Sequence, residues 1–340
     1  MSGPVDRETI VGLQVPLVIS GRGQVLERAA DQRAREARFR SDDVLLEAAL
    51  QFRELHARAM LAEARRVILH KQQIALDALT AAGDALARGG ESARYDVARQ
   101  QMETDSHRRE LASAAAEARA LAAELEGWLD APYDLHLDVQ ELTRSQQPLP
   151  DRSGAHHPRL LALDAAARAS ELEERAARRR AVPEPEISGG YRRLQTDQAV
   201  AHGMQLNLSI PLTLFDNGSR EAARFAAEAL TERAVLASER RRITARSRAA
   251  RARVNTLEAE LRKTQNRDGT DAIRDGARRL YAAGEMSIGD LLAAFQAAES
   301  AELSQLDLRA QAAFARIELM GTLGTQLDAE LDRACSGAVK

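Results

Sequence analysis

The residues of this chain that could do chemistry are few. Asp96 and Asp290 occur 194 positions apart. Carboxylates that are brought together attract cations and repel one another, although either residue could instead occupy a solvated position on a helix. His156 and His157 are adjacent imidazoles that could bind a metal ion, but His157 precedes Pro158, a pair that favours the start of a helix. We therefore predict no metal site.

No catalytic constellation occurs in the sequence. It contains no phosphate-binding glycine loop, no dinucleotide fingerprint, no His-Glu-x-x-His motif and no nucleophile motif, so we predict neither an enzyme nor a cofactor site. An arginine-rich stretch from Arg240 to Arg253 could suggest RNA binding. No aromatic residue interleaves it and glutamates flank it, so we predict a solvated helix face and no nucleic-acid partner.

The composition indicates long helices rather than a compact enzyme. Of the 340 residues, 29% are charged and only 3% are aromatic, and alanine, arginine, glutamate and leucine predominate. The single cysteine, Cys335, excludes an internal disulfide. No apolar run approaches the ~20 residues of a membrane-spanning helix. The first residues lack the basic start and apolar core of a secretory signal, so the chain as given carries no predicted export signal.

The sequence repeats itself at a spacing of about 195 residues. Pro16 and Pro211 are 195 positions apart, and so are Gly23 and Gly218. The two aspartates, farther along each copy, are 194 positions apart. A spacing that changes by only one residue along the chain indicates a duplicated unit. The predicted divisions are an incomplete first repeat at 1–130, a connector at 131–154, a second repeat at 155–324 and a tail at 325–340.

Each repeat contains an alternating segment that is typical of a two-sided strand. We predict a strand at 10–20 and a β-hairpin at 186–215. Their runs of about 11 residues match the length that crosses a bilayer as a tilted barrel strand, with apolar side chains towards lipid and polar ones towards a lumen. The predicted lipid-facing residues are Leu13, Val15, Leu17, Leu206, Leu208, Ile210 and Leu212.

Long segments without proline follow each strand and predict helices. The segments Gln24 to Arg88 and Ser219 to Ala283 would each span about 95 Å as one helix, far beyond a globular core. Apolar and small residues recur in them at the 3.5-residue spacing of a coiled-coil seam. Each long helix turns at a glycine and returns as a shorter one. We therefore predict antiparallel helical hairpins at 24–129 and 219–323, with another helix at 157–182.

In combination these motifs resemble the TolC-type outer-membrane factors, over about residues 10 to 325. The matching segments are HPRL at His157–Leu160, ISGGY at Ile187–Tyr191, LSIPL followed by FDNG between Leu208 and Gly218, and YAAGEMS at Tyr281–Ser287. Within the family, the Gly-Glu-x-Ser tip resembles most closely the CzcC-like heavy-metal and cation efflux group.

The resemblance implies a mainly helical fold with a small β part. Long coiled-coil hairpins would form an α-barrel, and the strands would contribute to a shared β-barrel in a homotrimer. It also implies a passive outer-membrane exit duct of a tripartite efflux pump, with a periplasmic extension. The implied cargo is metal cations or small toxic compounds, and the implied partners are a periplasmic adaptor protein, an inner-membrane transporter of the RND type and outer-membrane lipid.

The resemblance also assigns roles to the hairpin tips. They would meet the adaptor protein, although a glycine helix cap is an equally simple explanation of their sequence. Asp96 and Asp290, one to two turns beyond the tips, would narrow the tunnel mouth. The tip residues are Gly90, Glu91, Ser92, Gly284, Glu285, Met286 and Ser287.

The chain departs from the family pattern at its start. The family's first repeat opens with a helix and a strand like those of 157–194, whereas ten residues precede Val11 here, which gives three of the four strands. Lipid does not tolerate unpaired strand edges, so we expect an N-terminally truncated chain, with codons for a signal peptide, a helix and a strand upstream. Two other functions stay open at this point: an exit duct for type I secretion and a soluble coiled-coil scaffold.

Overall fold

A computed structural model describes residues 7–17, 19–89, 94–129, 154–195, 200–211, 217–264 and 269–324. It is mainly helical, with one small antiparallel sheet, which confirms the predicted fold class. Among the described residues, none of the helices combines the length and the apolar composition that spanning a bilayer demands.

The described part of the chain contains three strands and six long or medium helices. Short 3₁₀ turns occupy Gly154–His156 and Arg179–Ala181. The main elements are β1 (Arg7–Pro16), α1 (Arg22–Gly89), α2 (Arg94–Leu129), α3 (Pro158–Arg178), β2 (Glu186–Gln195), β3 (Val200–Ser209), α4 (Ser219–Thr264), α5 (Thr270–Ala282) and α6 (Ile288–Leu323).

One predicted helix is wrong in its length. The sequence predicted a single helix over 219–283, but α4 ends at Thr264 and α5 begins at Thr270, with 265–268 outside the described residues. Gly269 directly precedes α5 without belonging to it. Glycine costs about 1 kcal/mol in a helix interior relative to alanine, and the neighbouring Asp268, Thr270 and Asp271 favour helix starts. The absence of proline was therefore too weak a criterion for an unbroken helix.

Two compact units divide the chain, and each draws on both sequence repeats. One unit contains Met1–Asp43 and Pro158–Arg241, and the other contains Val44–His157 and Arg242–Lys340. The first unit holds the sheet, α3 and the initial parts of α1 and α4. The units therefore do not coincide with the two predicted repeats, and the division into repeats stays a prediction.

In the first unit, α3 forms ion pairs with both α1 and α4. Arg33 of α1 lies 2.8 Å from Glu173. Arg233 of α4 lies 2.9 Å from Glu171 and 2.8 Å from Asp164. Between these ion pairs the buried face of α3 consists mostly of small side chains, which lets α1 and α4 approach closely. The buried alanines of α3 are Ala162, Ala165, Ala166, Ala167, Ala169, Ala176 and Ala177.

The turns that start α1 and α4 both contact the end of α3. Gly21 and Gly218 adopt positive φ angles of 61° and 74°. A Cβ at Gly218 would lie 2.3 Å from the carbonyl oxygen of Ala177, and one at Gly21 would lie 2.8 Å from a guanidinium nitrogen of Arg179. Glycine fits both the backbone conformation and the available space. Arg179 also donates to the Gly21 carbonyl oxygen at 2.9 Å, which holds the end of α3 against this turn.

Among its described residues, the second unit contains three small apolar clusters along its helices. One joins α1 to α2 through Leu55, Ala59 and Leu125. Another joins α4 to α6, with Val254 and Leu319 among its members. The third joins α1, α5 and α6 through Ala75, Ala277, Leu291 and Phe295. The helical hairpins are thus held by alanine and leucine seams, as coiled-coil spacing predicts.

Candidate membrane face and hairpin tips

The register of the sheet places apolar residues of all three strands on one face. The strand order is β1-β2-β3, and both pairings are antiparallel. Directly opposed residues of antiparallel strands lie on the same side of the sheet. Three successive rows on this side are apolar or small. They are Val15–Ile187–Leu208, Leu13–Gly189–Leu206 and Val11–Tyr191–Met204.

This apolar face is exposed. Met204 is 95% exposed, Leu206 80%, Leu13 72% and Leu208 65%. Leucine and methionine side chains exposed together over three rows form a patch of the kind that marks an interaction with lipid or protein. Of the predicted lipid-facing residues, Leu13, Val15, Leu206 and Leu208 share this face. Leu17 and Ile210 are exposed just beyond the ends of β1 and β3, and Leu212 lies outside the described residues.

The opposite face of the sheet is polar and small in the rows of Gln14 and Gly12, whereas Ile10 and Leu194 lie farther along it. Gln14, Ser188 and Asn207 form one row, and Gln14 donates a hydrogen bond to Glu186. In the next row Gly12 opposes Gly190, and a Cβ on either would lie 3.1 Å from a backbone carbonyl oxygen of the other strand. Glycine permits this close approach of the two backbones. Over these rows the sheet therefore carries bulky side chains on one side and small ones on the other.

The second hairpin tip begins with a complete Schellman motif. Gly284 adopts a φ angle of 73° just after α5. The N–H of Glu285 donates to the Leu280 carbonyl oxygen at 2.9 Å, and the N–H of Gly284 donates to the Tyr281 carbonyl oxygen at 3.0 Å. These two bonds satisfy carbonyl groups that the end of a helix leaves without partners.

The same tip ends in a reciprocal cap of α6. The Ser287 hydroxyl donates to the Asp290 carboxylate at 2.6 Å and accepts the N–H of Asp290 at 3.2 Å. Met286 packs against the cluster around Phe295, whereas Glu285 and Asp290 are exposed. Asp290 therefore has a structural role as a capping residue, and its carboxylate remains accessible. Gly90, Glu91, Ser92 and the side chain of Asp96 lie outside the described residues.

Replacing Gly284 by alanine should lower the free energy of unfolding by about 1 kcal/mol, because an L-residue is strained in the left-handed conformation. The matched control is Gly276→Ala. Gly276 lies inside α5, where an added Cβ meets nothing within 4 Å, so alanine should raise the same free energy by up to about 1 kcal/mol. Urea unfolding followed by circular dichroism measures both, and two changes of the same sign would contradict the prediction.

Comparison with known proteins identifies the family. The sequence model of the family described as "outer membrane efflux protein" matches residues 149–325, just over half of the chain. The chain belongs to the outer membrane efflux protein family. This finding confirms the resemblance to the TolC-type factors, while the CzcC-like subgroup stays a prediction. No curated protein matches the sequence.

Solved outer-membrane channels share the fold of this efflux family member. CusC superposes with a TM-score of 0.76 at 15% identity, over 95% of this chain and 83% of that one. The CmeC channel of Campylobacter jejuni gives 0.72 at 12%, over 99% and 81%. VceC of Vibrio cholerae gives 0.72 at 14%, over 95% and 86%. At these identities the likeness concerns the fold.

The histidines and arginines that were considered above as possible metal and RNA ligands occupy ordinary structural positions in this efflux family member. His157 is buried, and its Nε2 lies 3.1 Å from the carbonyl oxygen of Gly321 in α6. His156 is exposed. No group of three or more possible metal ligands occurs among the residues that the structure describes. The arginines from Arg240 to Arg253 lie along α4, where Arg253 pairs with Glu318 at 2.7 Å.

A partly buried polar cluster near the second tip was missed by the sequence analysis. Arg274 of α5 is 4% exposed by its side chain and contacts both carboxylate oxygens of Glu302 in α6, at 2.5 and 2.9 Å. Lys71 of α1 lies 2.6 Å from Asp271 and 3.6 Å from Glu302. The available signal was Lys71 itself, a charge that interrupts an otherwise apolar seam of α1.

A second buried polar contact joins three helices. His107 of α2 lies between Gln73 of α1, at 2.9 Å, and Glu299 of α6, at 3.2 Å. All three side chains are buried. Buried polar groups are costly unless they are paired, so these contacts restrict how the helices of the two hairpins can pack.

Proposed function

We propose that this efflux family member is the passive outer-membrane exit duct of a tripartite pump, and that it passes metal cations or small toxic compounds from the periplasm to the exterior. The single observation that carries the proposal is the sheet itself, which has an exposed, three-row apolar face and an opposite face that is polar and small in the rows of Gln14 and Gly12. A strand in a bilayer needs this distribution, because one side meets hydrocarbon and the other meets a wet lumen.

Strand length agrees with this proposal. β1, β2 and β3 each contain 10 residues, and a tilted strand needs about 9–11 to cross the hydrocarbon core. An ordinary soluble sheet would bury its apolar side under helices. Here the leucines of that side are mostly solvent-exposed, which favours lipid as their natural environment.

The proposed assembly is a homotrimer that works with a periplasmic adaptor protein and an inner-membrane transporter of the RND type. Strands span lipid only as closed barrels, so the edges of a small sheet must pair with strands of other subunits. The tip at Gly284 to Ser287 is the proposed adaptor contact, together with Gly90, Glu91 and Ser92. Its Schellman turn and cap give it a fixed shape that a partner can recognise. Transport energy would come from the partners, because the sequence offers no nucleotide-binding motif.

Vesicle insertion tests the proposed function. The full chain, together with any segment that its gene encodes ahead of Met1, is refolded from urea in the presence of phosphatidylcholine vesicles, and the vesicles are then floated on a density gradient. We expect the chain to float with the vesicles, to resist extraction by carbonate and to admit small solutes into the vesicle lumen. A chain that stays soluble without detergent, with empty vesicles above it, would contradict the proposal and favour the soluble scaffold.

Replacing Asp290 by asparagine should lower the cation-over-anion permeability ratio of the inserted duct about twofold to threefold, because a ring of carboxylates at a constriction attracts cations. Dilution potentials across vesicles or a planar bilayer measure this ratio. The control is Asp275→Asn, which removes an exposed carboxylate of α5 that pairs with Arg278. Equal effects of both variants would assign the change to net charge rather than to an aperture at Asp290.

A further inference from the structure

A cationic row follows the apolar rows on the same face of the sheet. The row next to Val11–Tyr191–Met204 consists of Thr9, Arg193 and His202. All three of these residues are exposed. The apolar face therefore ends in two side chains that can carry positive charge.

Tyr191 ties this row to the apolar face. Its ring stacks on that of His202, with centroids 5.7 Å apart and planes 25° apart. Its hydroxyl also hydrogen-bonds to Nδ1 of His202. When the tyrosine hydroxyl is the donor, a neutral His202 carries its hydrogen on Nε2, which is then available to an acceptor outside the protein. The contact orients the imidazole before any ligand binds.

We propose that Arg193 and His202 bind the phosphate group of an anionic lipid headgroup at the outer surface of the membrane. The inference rests on the proposed function, since it requires the apolar face to be inserted in lipid. Guanidinium groups match phosphate oxygens with two parallel N–H bonds. Tyrosine prefers the boundary between hydrocarbon and headgroups, and long cationic side chains extend from that boundary towards the headgroups.

Chain connectivity assigns this row to the outer leaflet. The opposite ends of the strands, at Pro16 and Ser209, lead into α1 and α4. The row of Arg193 lies instead at the end where 196–199 connect β2 to β3. If the helices extend into the periplasm, this end faces the exterior. A phosphorylated glycolipid of the outer leaflet is therefore the expected ligand.

The neighbouring arginine provides a matched control. Arg192 lies in the row of Ile10 and Gly203, on the polar side of the sheet. Consecutive residues of a strand point to opposite faces. Arg192→Gln and Arg193→Gln thus remove the same charge from adjacent positions of one strand, and only Arg193 faces lipid.

The experiment measures lipid binding by the inserted full chain. Vesicles of phosphatidylcholine contain, or lack, a small fraction of bisphosphorylated lipid A, and native mass spectrometry counts the lipid A molecules retained after mild extraction. We expect Arg193→Gln to weaken lipid A binding roughly tenfold, as loss of a charge-assisted hydrogen bond would. His202→Gln should weaken it less, Arg193→Lys should restore part of it, and Arg192→Gln should leave it within about twofold of the wild type.

Each outcome decides between the inference and the proposed function. Insertion into both vesicle types without retention of lipid A would overturn the inference alone. Equal losses of lipid A binding for Arg192→Gln and Arg193→Gln would overturn it as well, because a non-specific charge effect would be the same on both faces of the sheet. Displacement of lipid A by inorganic phosphate would show that the site binds free phosphate rather than the lipid. Failure to insert into any vesicle would overturn the proposed function and the inference with it.

Discussion

Replacing Leu206 by arginine should abolish most insertion of the chain into vesicles. Leu206 lies in the central apolar row of the sheet, is 80% exposed, and its Cδ1 would be 3.9 Å from a Cβ built on Gly189. An arginine on the lipid face of a barrel costs about 2–4 kcal/mol at the bilayer midplane. That is a loss of roughly 30-fold or more in the equilibrium constant for insertion for each copy. The floated fraction of chain, after refolding with phosphatidylcholine vesicles, is the measurement.

Asn207→Arg is the matched control for this prediction. Asn207 follows Leu206 in β3 but lies in the row of Gln14 and Ser188, on the polar face. An arginine there would face the proposed lumen, so insertion should equal that of the wild type. If Asn207→Arg inserts as poorly as Leu206→Arg, the sheet is sensitive to charge on both faces and is no lipid-facing barrel wall. Normal insertion of Leu206→Arg would show that the exposed apolar face serves another partner.

The two faces of the sheet were predictable because strand periodicity fixes them. Alternation at Leu206 and Leu208 was sufficient to place both side chains on one side, since a strand has no other way to arrange consecutive residues. The partner of β1 was not predictable. Gly12 meets Gly190 across 178 positions of sequence, and no local pattern specifies such a pairing. Register between distant strands depends on the whole fold.

The helices were predictable in place but not in their contacts. Missing prolines located α1 within two residues at its start, from Gln24 to the observed Arg22. The same criterion overlooked Gly269, which lies outside α5 and directly precedes it. Arg33 reaches Glu173, 140 positions away, yet a sequence with 48 basic and 51 acidic residues offers many equivalent pairs. Which charges meet follows from helix packing, so single ion pairs are unpredictable in a chain of this composition.

Replacing Arg274 by methionine should lower the free energy of unfolding of the chain by about 3 kcal/mol. The guanidinium of Arg274 is almost fully buried and forms two short contacts with Glu302. Its removal leaves a largely buried carboxylate whose remaining partners, among the residues that the structure describes, are Lys71 at 3.6 Å and Thr270 at 3.1 Å. Those remaining partners place the expected loss at the lower end of the range for a broken buried pair, about 3–5 kcal/mol. Urea unfolding at neutral pH measures it.

A double variant separates the ion pair from simple loss of packing. Arg274→Met combined with Glu302→Leu removes both charges and should recover most of the lost free energy, because an apolar pair of similar size is often as stable as a buried ion pair. Arg274→Lys keeps the charge without the two parallel N–H bonds and should lie between Arg274→Met and the wild type. A double variant as unstable as Arg274→Met alone would assign the effect to shape rather than to charge.

The pH dependence of the free energy of unfolding tests the same cluster independently. Burial alone would raise the pKa of Glu302, but its hydrogen bond and charge attraction to Arg274, with the charge of Lys71, lower that pKa below its ordinary value of 4.5. A hydrogen bond from Lys71 chiefly lowers the pKa of Asp271. A carboxylate with a lowered pKa stabilises the folded chain fully above its ordinary pKa, and this stabilisation disappears as the pH falls through the lowered value. The wild type should therefore lose more unfolding free energy than the double variant as the pH falls below about 4.5. If the free energies of unfolding of the two chains fall in parallel as the pH falls, Glu302 is not among the groups that stabilise this fold.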